Sequence, residues 1–194
     1  MSATRTLTLA DVALPRSGAF TNTALVVAAS VVTALAARVA LPLPWTPVPV
    51  TGQTFAVLLT GAVLGPRRAF LAQALYLLEG AAGLPVFAGG AAGALLLAGP
   101  TGGYLLAFPF AAATVGALCR RGWDRGFATM FAAMLLGSSV IFALGLAQLS
   151  RYVPAATLFA QGLLPFVPGD LVKSALAALA FPAAWRVLGR GRAA

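Results

Sequence analysis

The sequence predicts an all-α membrane protein: six transmembrane helices, N- and C-termini both cytoplasmic, and irregular Pro/Gly-rich loops on the external face. Three observations carry this reading. Of the 194 residues, 60% are hydrophobic and only 9% charged, with a mean hydropathy of +0.94, whereas about a quarter of a soluble domain is charged. The apolar residues fall into runs that approach or reach the roughly 20 residues a 30 Å hydrocarbon core requires. The cations, 13 Lys+Arg against 4 Asp+Glu for a net charge of +9, punctuate those runs instead of gathering on a hydrophilic face, which argues for membrane lipid as the surroundings and against nucleic acid as a partner.

The first run extends from Phe20 to Leu41, broken only by Arg38, and ends where Pro42, Pro44, Pro47 and Pro49 forbid a helix. The second, Gln53 to Leu64, stops at Gly65-Pro66-Arg67-Arg68, and the third, Ala69 to Leu84, stops at Gly83-Leu84-Pro85. Both are short for a full crossing. The fourth spans 102–119 and ends at Arg120-Arg121; the fifth spans 127–149 and ends at Arg151; the sixth covers 169–188, fading at Arg186. Residues 1–194 thus read as a single integral membrane domain, with 1–19 as a cytoplasmic N-terminal segment and the first two short spans at 53–64 and 69–84 following the one at 20–41. Ala34-Leu35-Ala36 offers a signal-peptidase-like site, but the residues before it are too long and mixed for a signal n-region. Thr6 to Val12 reads as a short surface segment on the inner leaflet.

Orientation follows the rule that Lys and Arg in short loops favour the cytoplasm. A cytoplasmic N-terminus places Arg5, Arg16, Arg67, Arg68, Arg120, Arg121, Arg125, Arg186, Arg190 and Arg192 inside; the outer loops hold only Arg151, with Arg38 and Lys173 in or near spans. The localisation expected is a multi-pass protein of a prokaryotic cytoplasmic membrane.

Three Gly/Pro-rich segments then fall on the external face: Pro42 to Gly52, Leu84 to Gly103 and Pro165 to Asp170. Irregular backbone is tolerated at membrane depth only where protein buries it or a cavity receives it, so the short second and third helices imply loops dipping into a pocket. Asp170 and Lys173 are the first polar candidates, sharing one face of the sixth helix at i, i+3 just after Pro168-Gly169. Two readings stand together: a first-turn or capping acid with an intrahelical cation partner, and an acceptor beside a donor gripping a polar head group. Glu79 lies near the external end of the third span and is assigned to a loop or interface. Trp45, among the prolines of the first outer loop, reads as an interfacial anchor or as a ring that the stiff loop holds over the pocket, and Thr51, Gln53, Phe87, Tyr104 and Phe166 flank the outer breaks, divided between packing and lining. Ala24 and Ala28 form a small-xxx-small pair that admits close approach of another helix, within the chain or from a partner.

Several chemistries are excluded. With no His and the single Cys119, His-based acid–base catalysis, His metal sites and an internal disulfide framework are absent, so no catalytic or metal site and no cofactor is expected. Gly99-Pro100-Thr101-Gly102-Gly103-Tyr104 lacks the G-K-[ST] ending of a phosphate loop, so any ATP hydrolysis belongs to another subunit. An intramembrane enzyme would need Asp170 as base beside Lys173, Ser174 or Thr101, and is not favoured. A purely structural assembly subunit is the remaining alternative.

In order along the chain, Pro47-Val48-Pro49-Val50-Thr51-Gly52-Gln53-Thr54, Gly61-Ala62-Val63-Leu64-Gly65, Gly83-Leu84-Pro85-Val86-Phe87-Ala88-Gly89-Gly90, Gly99 to Tyr104, and Pro165-Phe166-Val167-Pro168-Gly169-Asp170-Leu171-Val172-Lys173 resemble the BioY family. These are the biotin-specific substrate-binding (S) components of energy-coupling factor (ECF) transporters. The resemblance, from about Ala24 to Ala178, implies a six-helix protein that captures biotin from outside as a transported substrate. It also implies partners: a transmembrane coupling subunit and cytoplasmic ABC-type ATPase subunits. The P-G-D-x-x-K residues Asp170 and Lys173 are then implied in biotin binding, the ureido ring offering two N–H donors and a C=O acceptor to a carboxylate and an ammonium. Trp45, Phe87 and Phe166 become candidates for the apolar walls, with Gln53, Gly90 and Tyr104 from the same motifs, and Ala24 and Ala28 for the face meeting the coupling subunit. An S component for another vitamin, such as thiamin or riboflavin, is the alternative with the same architecture.

Overall fold

The computed structural model describes residues 7–14 and 18–190, with the side chains of 189 and 190 left aside. Arg5, Arg16 and Arg192, the Arg190 side chain, and Thr6 lie outside the described residues. Nine α-helices are seen there: α1 Leu9–Ala13, α2 Ala19–Ala36, α3 Gln53–Leu64, α4 Pro66–Ala81, α5 Leu95–Ala98, α6 Gly102–Cys119, α7 Phe127–Leu149, α8 Leu158–Gly162 and α9 Val167–Arg190. Two-residue strands β1 (Ala40–Leu41) and β2 (Val50–Thr51) pair antiparallel.

Glycine and proline explain most boundaries. Gly65 closes α3 at φ 78°, a conformation open to glycine, and the next residue, Pro66, starts α4 with its φ already helical. The third run therefore begins at Pro66 and ends at Ala81, earlier at both ends than its hydropathy suggests. The first run stops as a helix at Ala36, because the chain turns into the ladder that ties off the proline loop, where the Gly52 N–H donates to the Val39 carbonyl at 3.0 Å. The sixth run starts at Val167, with Pro168 tolerated in the first turn.

Helices α2, α6, α7 and the stretch from Ala155 through α9 to Leu188 are long and apolar enough to cross a bilayer; α3, at 12 residues, and α4, at 16, are shorter. Helix α6 is central, touching α3, α4, α5 and α7; α2 packs on α4 and α3, and α9 on α7. Close helix crossings are made by glycine. A Cβ on Gly61 of α3 would overlap the Ala112 carbonyl oxygen of α6, and one on Gly116 of α6 would lie 2.6 Å from the Gly65 carbonyl carbon. Two polar pairs join α2 to α4: Ser30 Oγ donates to Glu79 at 3.1 Å, and Gln73 Nε2 to Thr33 Oγ1 at 3.0 Å. Glu79 thus serves a helix interface.

The described part of the segment before the first span packs onto the protein. Thr8 and Asp11 form a capping box at the start of α1, Ala10 is buried, and Asp11 Oδ1 accepts from Arg68 Nη1 at 2.7 Å. Burial acts to raise the Asp11 pKa, but the two Thr8 hydrogen bonds and Arg68 outweigh it and hold it below its ordinary value. A lowered acid pKa contributes stability above the unfolded value of 3.8 that is lost as pH falls through the folded one. Asp11→Asn is accordingly expected to lower the melting temperature at pH 7 by a few degrees, and this deficit to shrink as the pH falls below 3.8; a deficit that persists undiminished in acid would contradict the electrostatic account.

Candidate ligand-binding cavity

A cavity of about 380 Å³ opens among residues 47–54, 87–108, 141–142 and 166–173. The three Gly/Pro-rich segments therefore converge on one space. Among the described residues, the charged ones that line it are Asp170 and Lys173.

Asp170 stands in the first turn of α9, 8% exposed, and one carboxylate oxygen accepts from Ser138 Oγ of α7 at 2.8 Å. Lys173, one turn later, turns to the other wall, donating from Nζ to the Thr51 carbonyl at 2.9 Å and to Thr54 Oγ1 at 3.3 Å. The two make no ion pair with each other, because each is already held by a different element. A carboxylate offers about four acceptor positions and an ammonium three donors, so both retain capacity toward a ligand.

Gln53 begins α3 beside this pair. Its amide donates to the Tyr76 hydroxyl and accepts from Thr51 Oγ1 at 3.1 Å, while Tyr76 in turn donates to the Val86 carbonyl at 2.9 Å. This chain of bonds fixes the first and second loops to each other. Phe87 is 2% exposed, its ring edge-on to Tyr76 at 5.6 Å and seated where a Cβ of Gly80 would be. On the opposite wall Tyr104 donates to the Gly162 carbonyl at 2.8 Å, and its ring lies 6.4 Å from Phe166, which lies 6.4 Å from Phe142. The result is an apolar chamber with aromatic sides and one polar end.

Gln53, Phe87, Tyr104, Phe166, Asp170 and Lys173 are thus brought together, while Trp45 and Gly90 are not among the lining residues. Trp45 is 58% exposed. Gly90, at φ 85°, stacks its backbone near the Arg38 guanidinium, which donates to the Pro85 carbonyl at 2.7 Å, so it shapes the loop. Ala24 and Ala28 are both exposed on α2. The sequence reading missed Ser138, Thr54 as a partner of Lys173, Phe108 and Phe142. It also missed the clamp in which Gln148 Nε2 donates to the Leu97 and Gly99 carbonyls at 3.0 and 2.6 Å; polar residues at helix ends facing a Gly/Pro loop are the signal that points to such a clamp.

The chain matches the model of the BioY family over residues 6–190. It is 44% identical over 138 residues to a biotin transporter BioY of Thermotoga maritima, covering 71% of this chain and 80% of that one. It is 43% identical over 133 residues to a probable biotin transporter BioY of Pyrococcus horikoshii, covering 69% and 78%, and 35% identical over 159 residues to a biotin transporter BioY of Rhizobium etli, covering 78% and 85%. Its fold is shared with the crystal structure of the S-component for biotin from an ECF-type ABC transporter, at a TM-score of 0.73 and 24% identity over 90% of this chain and 92% of that one.

Proposed function

Because this chain belongs to the BioY family, we propose that it is a biotin-capturing subunit of an ATP-driven ECF transporter in a prokaryotic cytoplasmic membrane. Its family and its relatives are transporters, and the chain is a multi-pass membrane protein rather than an enzyme. The observation that carries the substrate is one carboxylate and one ammonium, each held by a different element, on the lining of an otherwise largely apolar chamber. A ureido ring presents two N–H groups and a carbonyl, which Asp170 and Lys173 complement, and the thiophane ring and valeryl chain suit the walls of Phe87, Tyr104, Phe142 and Phe166.

In this reading six helices, α2, α3, α4, α6, α7 and α9, span the membrane, with the cavity toward the outside and both termini in the cytoplasm. Exposed Ala24 and Ala28 let a coupling subunit's helix come close to α2, and ATP is hydrolysed by separate cytoplasmic subunits. Gln53 positions the loops, while Gly90 shapes the loop that carries Phe87.

The test is binding of radiolabelled biotin to the purified, ligand-free protein, with thiamin and riboflavin as competitors. Saturable binding displaced by unlabelled biotin and by neither competitor is expected. Displacement by thiamin or riboflavin would transfer the site to that vitamin, and absence of saturable biotin binding would overturn the reading.

Gly80→Ala supplies a second check. The new methyl occupies the place of the Phe87 ring, so the ring must leave the wall, and the biotin Kd is expected to rise about tenfold while helix packing survives. Such a loss corresponds to about 1.4 kcal/mol. An unchanged Kd would remove Phe87 from the binding surface.

A further inference from the structure

We propose that the end of the bundle opposite the cavity is a binding surface for the headgroups of anionic phospholipids. Arg67 and Arg68 open α4, Arg120 and Arg121 follow α6, Arg125 precedes α7, and Arg186 lies near the end of α9. These positions share one end of the molecule, since Gly116 packs on Gly65 and Pro66, and Trp185 Nε1 of α9 donates to Asp124 Oδ2 at 2.6 Å. Four of the cations, Arg67, Arg121, Arg125 and Arg186, are exposed.

The chain's 4 acids do not balance them. Asp11 is paired with Arg68, Glu79 with Ser30 and Asp170 with Ser138, and Asp124 is fully buried between Trp185 and Arg125. At this end Asp11 and Asp124 are ion-paired with Arg68 and Arg125, and no acid among the described residues is exposed, so the exposed Arg67, Arg121 and Arg186 leave this surface with a net positive charge. Arg67 also stands in the first turn of α4, where the helix dipole disfavours a cation and no acid compensates.

The surroundings select a lipid over a soluble anion. Two of the chain's 3 tryptophans, Trp123 and Trp185, are at this end, the residue type that settles at headgroup depth, and the Arg125 guanidinium lies 3.3 Å over the Trp185 ring. Exposed aromatic surface borders the cations. Phe70 lies one turn beyond Arg67 and packs edge-on to Phe110 at 5.6 Å, while Phe127, stacked on Phe131 at 6.0 Å, follows Arg125 by two residues. A phosphate on the arginines thus continues into acyl chain on the phenylalanines, a match that free phosphate lacks.

Native mass spectrometry of the full chain in detergent, offered equal phosphatidylglycerol and phosphatidylcholine, reads the preference directly. Retained phosphatidylglycerol should exceed phosphatidylcholine about tenfold, fall toward parity in 0.5 M salt for the unmodified protein, and lose its excess in the Arg67→Gln/Arg121→Gln variant while biotin binding is unchanged. Equal retention of the two lipids, an excess indifferent to both salt and the double substitution, or complete displacement by millimolar inorganic phosphate would overturn the proposal, the last by showing a site for free anions.

Discussion

Asp170→Asn is expected to raise the biotin Kd at least 100-fold while leaving the protein monodisperse and folded. The carboxylate accepts from Ser138 at 2.8 Å on α7 and retains acceptor capacity for a ureido N–H. An amide has one acceptor and one donor group; if its oxygen keeps Ser138, its NH2 confronts the ligand's N–H, leaving two buried donors unpaired. Losing a charge-assisted hydrogen bond and stranding its partner costs about 3 kcal/mol, which converts to the stated factor. Ser138→Ala should cost less, roughly tenfold, because Ser138 orients the carboxylate without meeting the ligand. Lys173→Met combines two losses, the ammonium and the bonds to the Thr51 carbonyl and Thr54, and is expected to match Asp170→Asn in affinity with a larger drop in melting temperature. Radiolabelled binding and thermal unfolding read both. A wild-type Kd in Asp170→Asn would move the polar end of the site elsewhere.

How much of this site was open to sequence reading depends on where each partner comes from. Asp170 and Lys173 stood out because ionisable groups are rare inside apolar runs and each must be explained. Their partners did not. Ser138 sits mid-run beside Ser139, which bonds its own helix at the Leu135 carbonyl; only tertiary packing tells the two apart. Lys173's shortest bond goes to a backbone carbonyl, which no side-chain pattern reveals. Boundaries marked by glycine, proline or arginine on both sides, such as 53–64, 102–119 and 127–149, coincide with α3, α6 and α7. The first and third runs end too late in the sequence because hydropathy continues past the residue at which the backbone turns, and the third starts too late because Arg67 and Arg68, which read as a break, lie in the first turn of α4. Helix α1 was invisible as a docked element, since its hold is a cap plus an ion pair to Arg68, 57 residues away.

Gly61→Leu is expected to leave little folded protein, and Gly61→Ala to be far more damaging than Gly137→Ala. All three substitutions add carbon at crossings with α6, but what they meet differs. A Cβ on Gly61 overlaps the Ala112 carbonyl oxygen, and its own carbonyl carbon and Cα lie at 3.1 and 3.2 Å, so the contact is with backbone that cannot rotate away. A Cβ on Gly137 meets the methyls of Val115 at 2.5 Å and Leu58 at 2.6 Å, ends of side chains that can yield. Relief at Gly61 requires α3 and α6 to separate along their length, and packed interiors do not absorb such movement cheaply. Gly61→Ala should therefore cost on the order of 3 kcal/mol and Gly137→Ala about 1. The same separation moves Gln53 and Thr54 at the start of α3 away from Tyr104 on α6, so biotin affinity should fall with stability in Gly61→Ala, whereas Gly137→Ala keeps its affinity. Melting temperatures and radiolabelled binding of the two alanine variants test this together; equal losses in both would mean that the α3–α6 crossing does not set the cavity's shape.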